Sequence, residues 1–113
     1  MKTIIAGTRT ITEMRFLKEA LAHSGWQITE VVCGKARGVD TLGEAWAKDK
    51  GIPVRYFPAD WSGLGKRAGF VRNAQMAEYA EALVLVWDGC SRGSASMLEL
   101  AKRKGLRIFE WIV

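Results

Sequence analysis

Ala82-Leu83-Val84-Leu85-Val86-Trp87 is a run of six apolar residues with no polar position on either side of the pleat, and Asp88-Gly89-Cys90-Ser91-Arg92-Gly93-Ser94 follows it at once. A strand with one wet face alternates polar and apolar residues. One that does not is covered on both faces, the usual state of a central strand in a parallel sheet with helices above and below. The glycines and small polar residues behind it let the chain turn back. A helical pattern then runs from about Gly93 to Lys104, and Gly105 stops it before a further strand, Leu106–Ile112.

The same cadence occurs three times upstream. Lys2–Ala6 reads as a first strand, followed by Gly7-Thr8-Arg9 and a helix from about Thr12 to Ser24. Met14, Leu17, Ala20, Leu21 and Ser24 share one face of that helix, Gly25 ends it, and Thr10-x-x-Glu13 has the form of a capping box at its entry. Strand Ile28–Cys33 leads into the loop Gly34 to Asp40, where Asp40 is placed to cap a helix ending near Gly51 and Pro53. Strand Val54–Phe57 leads through a long loop to a helix over about Ala68 to Ala80. The order βαβαβαβαβ predicts one α/β domain over residues 1–113, with about five parallel strands, right-handed crossovers and helices on both faces. A Rossmann-like strand order of 3-2-1-4-5 would open a crevice between strands one and four, framed by Gly7-Thr8-Arg9 and by Asp88 to Ser94.

In such a sheet the strand-to-helix loops share one edge with the helix N-termini, which offer free N–H groups. Here those loops concentrate the charge. They hold Arg9, Lys35, Arg37, Lys66, Arg67, Arg72 and Arg92 against Asp40, Asp60 and Asp88, which is +4 of the formal net charge of +5. A cationic, glycine-rich edge suits a phosphorylated ligand, and a pI near 9.5 points the same way. No apolar run approaches the ~20 residues of a membrane-spanning helix. The first residues read as a strand rather than a signal peptide. Two cysteines 57 positions apart suggest neither a disulfide framework nor zinc spacing, so a reducing cytoplasm is expected. The single His23 leaves no metal set, and no resident cofactor is expected. Five tryptophans leave room for an apolar self-association surface, whose place the sequence does not give.

Each candidate motif has a plain structural alternative. Gly63-Leu-Gly65-Lys-Arg-Ala68 fits G-x-G-x-x-G/A, but it follows the third strand at a distance rather than the first directly, so it reads as loop flexibility. In Gly34-Lys35-Ala36-Arg37-Gly38-Val39-Asp40, the glycines permit close backbone approach and Arg37 can hold a phosphate; equally, Arg37 is a solvated charge and Asp40 a helix cap. Arg72 and Asn73 lie near the charged edge, although periodicity alone makes Arg72 an exposed side chain. Ser91 and Ser94 can donate to phosphate or cap the last helix. Trp61 and Trp87 are base-stacking candidates or core residues. Cys90 stands near a helix N-terminus, where thiols can be activated.

Three of these segments together resemble a known family. Val31 to Asp40 resembles the GxARGxD element of the DprA/Smf proteins, Phe70-Val-Arg72-Asn73-Ala-Gln-Met76-Ala their F-x-x-RNRxIA segment, and Ser91-Arg-Gly93-Ser94 their K-S-G-S/T loop. The match runs from about Ile28 to Gly105. With Gly7-Thr8-Arg9, the chain is identified as a member of the SLOG superfamily, similar above all to the small YspA-like (cpYpsA-related) proteins of bacteria and phages. The resemblance implies a pocket for a nucleotide or nucleotide-derived ligand. It places Gly34, Arg37, Gly38 and Asp40 in one motif, Arg72 and Asn73 in a second, and Ser91, Gly93 and Ser94 in a third. Two departures stand out: Lys35 replaces the usual Leu of DprA proteins, and the PGGxGTxxE motif of the LOG hydrolases is not reproduced.

The expected function is therefore binding of a phosphate-bearing nucleotide or nucleotide derivative. Gly7, Thr8, Arg9, Gly34, Lys35, Arg37, Gly38, Asp40, Arg72, Asn73, Asp88, Ser91, Gly93 and Ser94 form the candidate site. Asp40 or Asp88 is expected to hold a ribose or base amine. Arg37 and Arg72 are expected to clamp one phosphate and to be removable with little effect on folding. The alternatives are weak single-stranded nucleic-acid binding along the same edge, and N-glycosidic hydrolysis by Asp40, Asp60, Asp88 or Glu99. A homo-oligomer is compatible with all three.

Overall fold

In the computed structural model, which describes residues 1–113, the six residues of β4 (Ala82–Trp87) are all buried. The chain runs β1 (Lys2–Gly7), α1 (Met14–Ser24), β2 (Glu30–Cys33), α2 (Val39–Lys50), β3 (Val54–Tyr56), α3 (Trp61–Leu64), α4 (Ala68–Tyr79), β4, α5 (Arg92–Arg103) and β5 (Arg107–Ile112). Every strand pairing is parallel, in the order β3-β2-β1-β4-β5. Along β4 the pleat sends alternate side chains to opposite faces. Leu83 and Leu85 join Met76, Met97 and Leu100 in one core, while Val84 and Val86 join Ile5, Leu17, Val31 and Val39 in the other. Two-sided coverage follows: α4 and α5 pack on the first face, α1 and α2 on the second.

Local differences from the sequence reading have physical causes. The helix expected from Thr12 begins at Met14, and no capping box forms, because Glu13 turns to Arg15 at 2.6 Å. Asp40 does not cap α2. The cap position is Gly38, two residues earlier, and the Asp40 carboxylate folds back to accept the Ala36 N–H at 3.3 Å. Gly63 to Ala68 is not a loose loop. Asp60 accepts the Gly63 N–H at 3.0 Å, closing the single turn α3, and a 3-10 turn over Gly65–Arg67 runs straight into α4. Trp87 belongs to the core, with its indole N–H donated to Glu110 at 2.8 Å, so it offers no stacking surface. No helix is long and apolar enough to cross a membrane.

Because Leu85 is wholly buried between β4 and the α4–α5 layer, Leu85→Ala should lower stability by about 2–5 kcal/mol. Urea unfolding followed by circular dichroism measures it.

Candidate functional site

The loops after β1 and β2 are pressed together at the C-terminal edge of the sheet. Gly38 adopts φ +75°, and a Cβ there would sit 2.4 Å from the Thr8 carbonyl oxygen and 2.5 Å from that of Arg9. Only glycine meets both demands. Behind it, the Val39 N–H reaches the Thr8 carbonyl at 3.4 Å. Thr8 is itself a hub. Its hydroxyl accepts the Asp88 N–H at 3.1 Å and lies 3.2 Å from the Ser91 hydroxyl, tying the β1 loop to the β4 loop. Asp88 accepts the Cys90 and Ser91 N–H groups, both at 2.9 Å, and these bonds hold its carboxyl below the usual range. Ser91 stands at the cap position of α5 without a side-chain cap bond, and Ser94 is buried one turn in.

Arg72 departs most from expectation. It is 7% exposed, although its helical position alone marks it as a surface residue. Its guanidinium donates to the Gly34 carbonyl and, through Nε, to Asn73 Oδ1 at 2.8 Å. Asn73 in turn donates to the Gly93 carbonyl at 3.4 Å. These two residues of α4 therefore bind the β2 loop on one side and the start of α5 on the other. Asp40, 5% exposed, lies close by. Burial pushes its carboxyl up, against the Ala36 N–H and the charge of Arg72, and burial likewise pulls the Arg72 guanidinium down. Gly34 leaves the room for this arrangement: a Cβ there would lie 2.7 Å from Arg72 Nη1 and 2.9 Å from Asp40 Oδ2.

Four depressions divide the candidate residues. A cleft of about 360 Å³ over β1, β2 and β3 is lined by Arg9, Gly34, Lys35, Ala36, Arg37, Pro58, Ala59, Trp61 and Arg72. The crevice between β1 and β4, about 400 Å³, gathers Gly7, Thr8, Arg9, Asp88, Ser91 and Gly93. A cavity of about 50 Å³ touching Arg9, Asp40, Arg72, Asn73, Gly93 and Ser94 lies between them. Gly38 lies in a further shallow cleft beside Arg9 and Arg37. Arg9 lines all four. The sequence reading missed Ala36, Pro58 and Ala59 as lining residues. Trp61, one of the two stacking candidates, is 53% exposed at the wall of the first cleft.

The charges differ in freedom. Neither Arg9 nor Arg37 nor Arg72 forms an ion pair, whereas Lys35 is held by Glu44 at 3.2 Å and lies over the Tyr56 ring at 5.0 Å. Lys35 adopts φ +59°, uncommon outside glycine, so this anchorage steadies the rim of the cleft. A hydrogen bond from Tyr56, with those of Lys48 and Lys35, lowers Glu44 to about 2. Burial raises the Cys33 thiol to about 11, leaving it protonated and inert at neutral pH. No group of three or more potential metal ligands is present.

Two outcomes follow. Arg72→Ala should cost about 1–3 kcal/mol, because it strands the buried Gly34 carbonyl and Asn73 amide oxygen; this replaces the expectation that Arg72 is dispensable for folding. Chemical denaturation of the variant and of Arg37→Ala, which should change by no more than about 0.5 kcal/mol, makes the comparison. Glu44 has a folded pKa below its ordinary 4.5, so its contribution is present above that pH and is lost as pH falls toward 2. Glu44→Gln should flatten that part of the acid limb of a stability–pH curve.

A family model described as the YspA, cpYpsA-related SLOG family matches residues 1–63. That region includes Gly7-Thr8-Arg9, the Gly34–Asp40 loop and Trp61. The chain is also similar to the Gene 61 protein of Mycobacterium phage D29, at 29% identity over 119 positions covering 97% of this chain and 95% of that protein. No solved structure matches. The match covers more than half of the residues, and this chain belongs to the YspA, cpYpsA-related SLOG family.

Proposed function

We propose that this protein binds a nucleotide or nucleotide-derived phosphorylated ligand at the C-terminal edge of its sheet, in the cleft over β1, β2 and β3. One observation carries the reading: the cleft is lined by four cations, Arg9, Lys35, Arg37 and Arg72, and by no carboxylate, with the exposed Trp61 ring on its wall. Unpaired guanidinium groups at a water-accessible cleft attract a polyanion, and their planar forks match phosphate oxygens. The indole supplies a face on which a base can stack. Arg9 and Arg37 then hold phosphate, Arg72 contributes from beneath while bracing the loop, and Lys35 is available once it exchanges Glu44 for the ligand.

The same observation ranks binding above N-glycosidic hydrolysis, which needs a carboxylate near the anomeric carbon. Asp40 is buried and engaged by backbone, and Asp88 lies in the other crevice with one oxygen taken by two N–H groups. Asp40 is accordingly assigned to loop architecture rather than to a ribose.

A thermal-shift screen over nucleotides tests the reading. A ligand present at 100 times its Kd should stabilise the fold by ~2.7 kcal/mol. Arg37→Ala should weaken that ligand by ~1.5–3 kcal/mol with the fold intact. Trp61→Ala should weaken the nucleotide but leave inorganic pyrophosphate unaffected. Absence of any shift across nucleotide classes in folded protein would refute the proposal. So would tight single-stranded DNA binding at physiological salt, where electrostatic contact alone gives only about 10⁻⁴–10⁻⁶ M.

A further inference from the structure

The two edges of the sheet are built differently. At one edge β3 is three residues long, with Pro53 just before it and Pro58 two residues after it, the devices that keep an edge from pairing. At the other, β5 is six residues of Arg107-Ile108-Phe109-Glu110-Trp111-Ile112, without proline or glycine. Arg107 donates its N–H to the Glu81 carbonyl and Val113 to that of Trp87. In a parallel ladder a residue's N–H and C=O address the same neighbour. Arg107, Phe109 and Trp111 are therefore spent on β4, and the backbone groups of Ile108, Glu110 and Ile112 face outward, unpaired.

Side chains along this edge form a half-covered aromatic row on the α1 face. Phe109 and Trp111 stack with centroids 6.1 Å apart, His23 closes one end at 4.6 Å from Trp111, and Trp26 meets Phe109 edge-on. Arg107 lies over the Trp26 ring at 5.3 Å. Ile112 is 63% exposed. The row contains no aspartate, glutamate or lysine to repel a neighbouring strand.

We propose that β5 is the interface between two copies of this chain, paired antiparallel about a two-fold axis through Phe109, so that the sheet continues across ten strands. The outward groups of Ile108 and Glu110 fit such a pair, since each Ile108 faces the partner's Glu110 in a hydrogen-bonded pair and four bonds form. Phe109 meets its own copy in the closer, non-hydrogen-bonded position, where aromatic cross-strand contacts are favourable. Charge chooses this register. A shift to an axis through Glu110 sets two carboxylates directly opposite, which is destabilising. An axis through Phe109 instead sets each Arg107 against the partner's Trp111, a cation–π pair. The axis is isologous, so one self-complementary strand closes the assembly without leaving an open edge at β5. The ligand cleft lies over β1, β2 and β3 and stays open in the dimer.

Sedimentation equilibrium of the full chain across the micromolar range should show a monomer–dimer equilibrium; a strict monomer would overturn the proposal. Glu110→Pro removes an outward N–H while leaving the backbone ladder to β4 in place. Because it also removes the carboxylate that accepts the Trp87 indole N–H, it is compared with Glu110→Ala. Relative to that variant it should weaken dimerisation at least about tenfold, the effect of losing interface hydrogen bonds. A folded Glu110→Pro variant that dimerises as tightly as Glu110→Ala would equally overturn it. For the register, Arg107→Cys and Trp111→Cys are made in a Cys90→Ser background, because Cys90 is exposed and Cys33 is buried. On mild oxidation the mixture should form the mixed disulfide in excess of either homodimer. Crosslinking of each variant only with itself places the contact elsewhere and rejects this pairing. Circular dichroism verifies that each variant is folded, and the wild-type measurement stands if one is not.

Discussion

A strand with no wet face must be covered twice, and most of this molecule answers that demand. β4 sends Leu83 and Leu85 to one side and Val84 and Val86 to the other. Two separate helical layers must then exist, and both must return to the same sheet. Parallel strands joined by right-handed crossovers meet that requirement in a short chain. Once β1 and β4 are neighbours, every strand-to-helix loop leaves at one edge, and the glycine and arginine content of those loops becomes a surface rather than scattered positions.

That surface is held by backbone as much as by side chains. Gly38 allows the β2 loop to lie on the carbonyls of Thr8 and Arg9, and Thr8 reaches across to Asp88 and Ser91. Arg72 enters from α4 to the Gly34 carbonyl, with Asn73 extending the chain of bonds to Gly93. Buried polar groups tolerate few alternative partners, so three loops distant in sequence acquire a single relative geometry. Arg9 and Arg37, by contrast with the buried Arg72, stand exposed over the cleft. The edge thus separates a buried, hydrogen-bonded cationic base from exposed cationic arms. This division suits a ligand that is recognised by charge and positioned by shape.

The two sheet edges continue the same economy. β3 ends its ladder after three residues beside prolines, whereas β5 keeps six residues and an aromatic row. The cationic cleft over β1, β2 and β3 and the β5 edge lie at opposite sides of the sheet, so neither obstructs the other.

How much of this was legible in sequence can be followed residue by residue. The strands and the four long helices were, because hydrophobic periodicity is a local signal and β4 reads as apolar on both faces; the strand order followed from the likeness of that alternation to the Rossmann-like pattern. Family membership was legible as well, through the resemblance of the Val31–Asp40, Phe70–Ala77 and Ser91–Ser94 segments to motifs of a known family. The burial of Arg72 was not, because a helix position reports its own face but not the loop that will lie over it. Nor was the role of Asp40, since a carboxylate near a helix start can cap it or bond back to the preceding loop, and here Gly38, two positions earlier, takes the cap position. Trp87 and Trp61 look alike in sequence, yet one ends the buried strand β4 and the other lies on a one-turn helix at the rim of the sheet. Periodicity settles what each segment is; only the packing of segments settles which polar groups lose their water, and with that, which of them become structure and which remain free to meet a ligand.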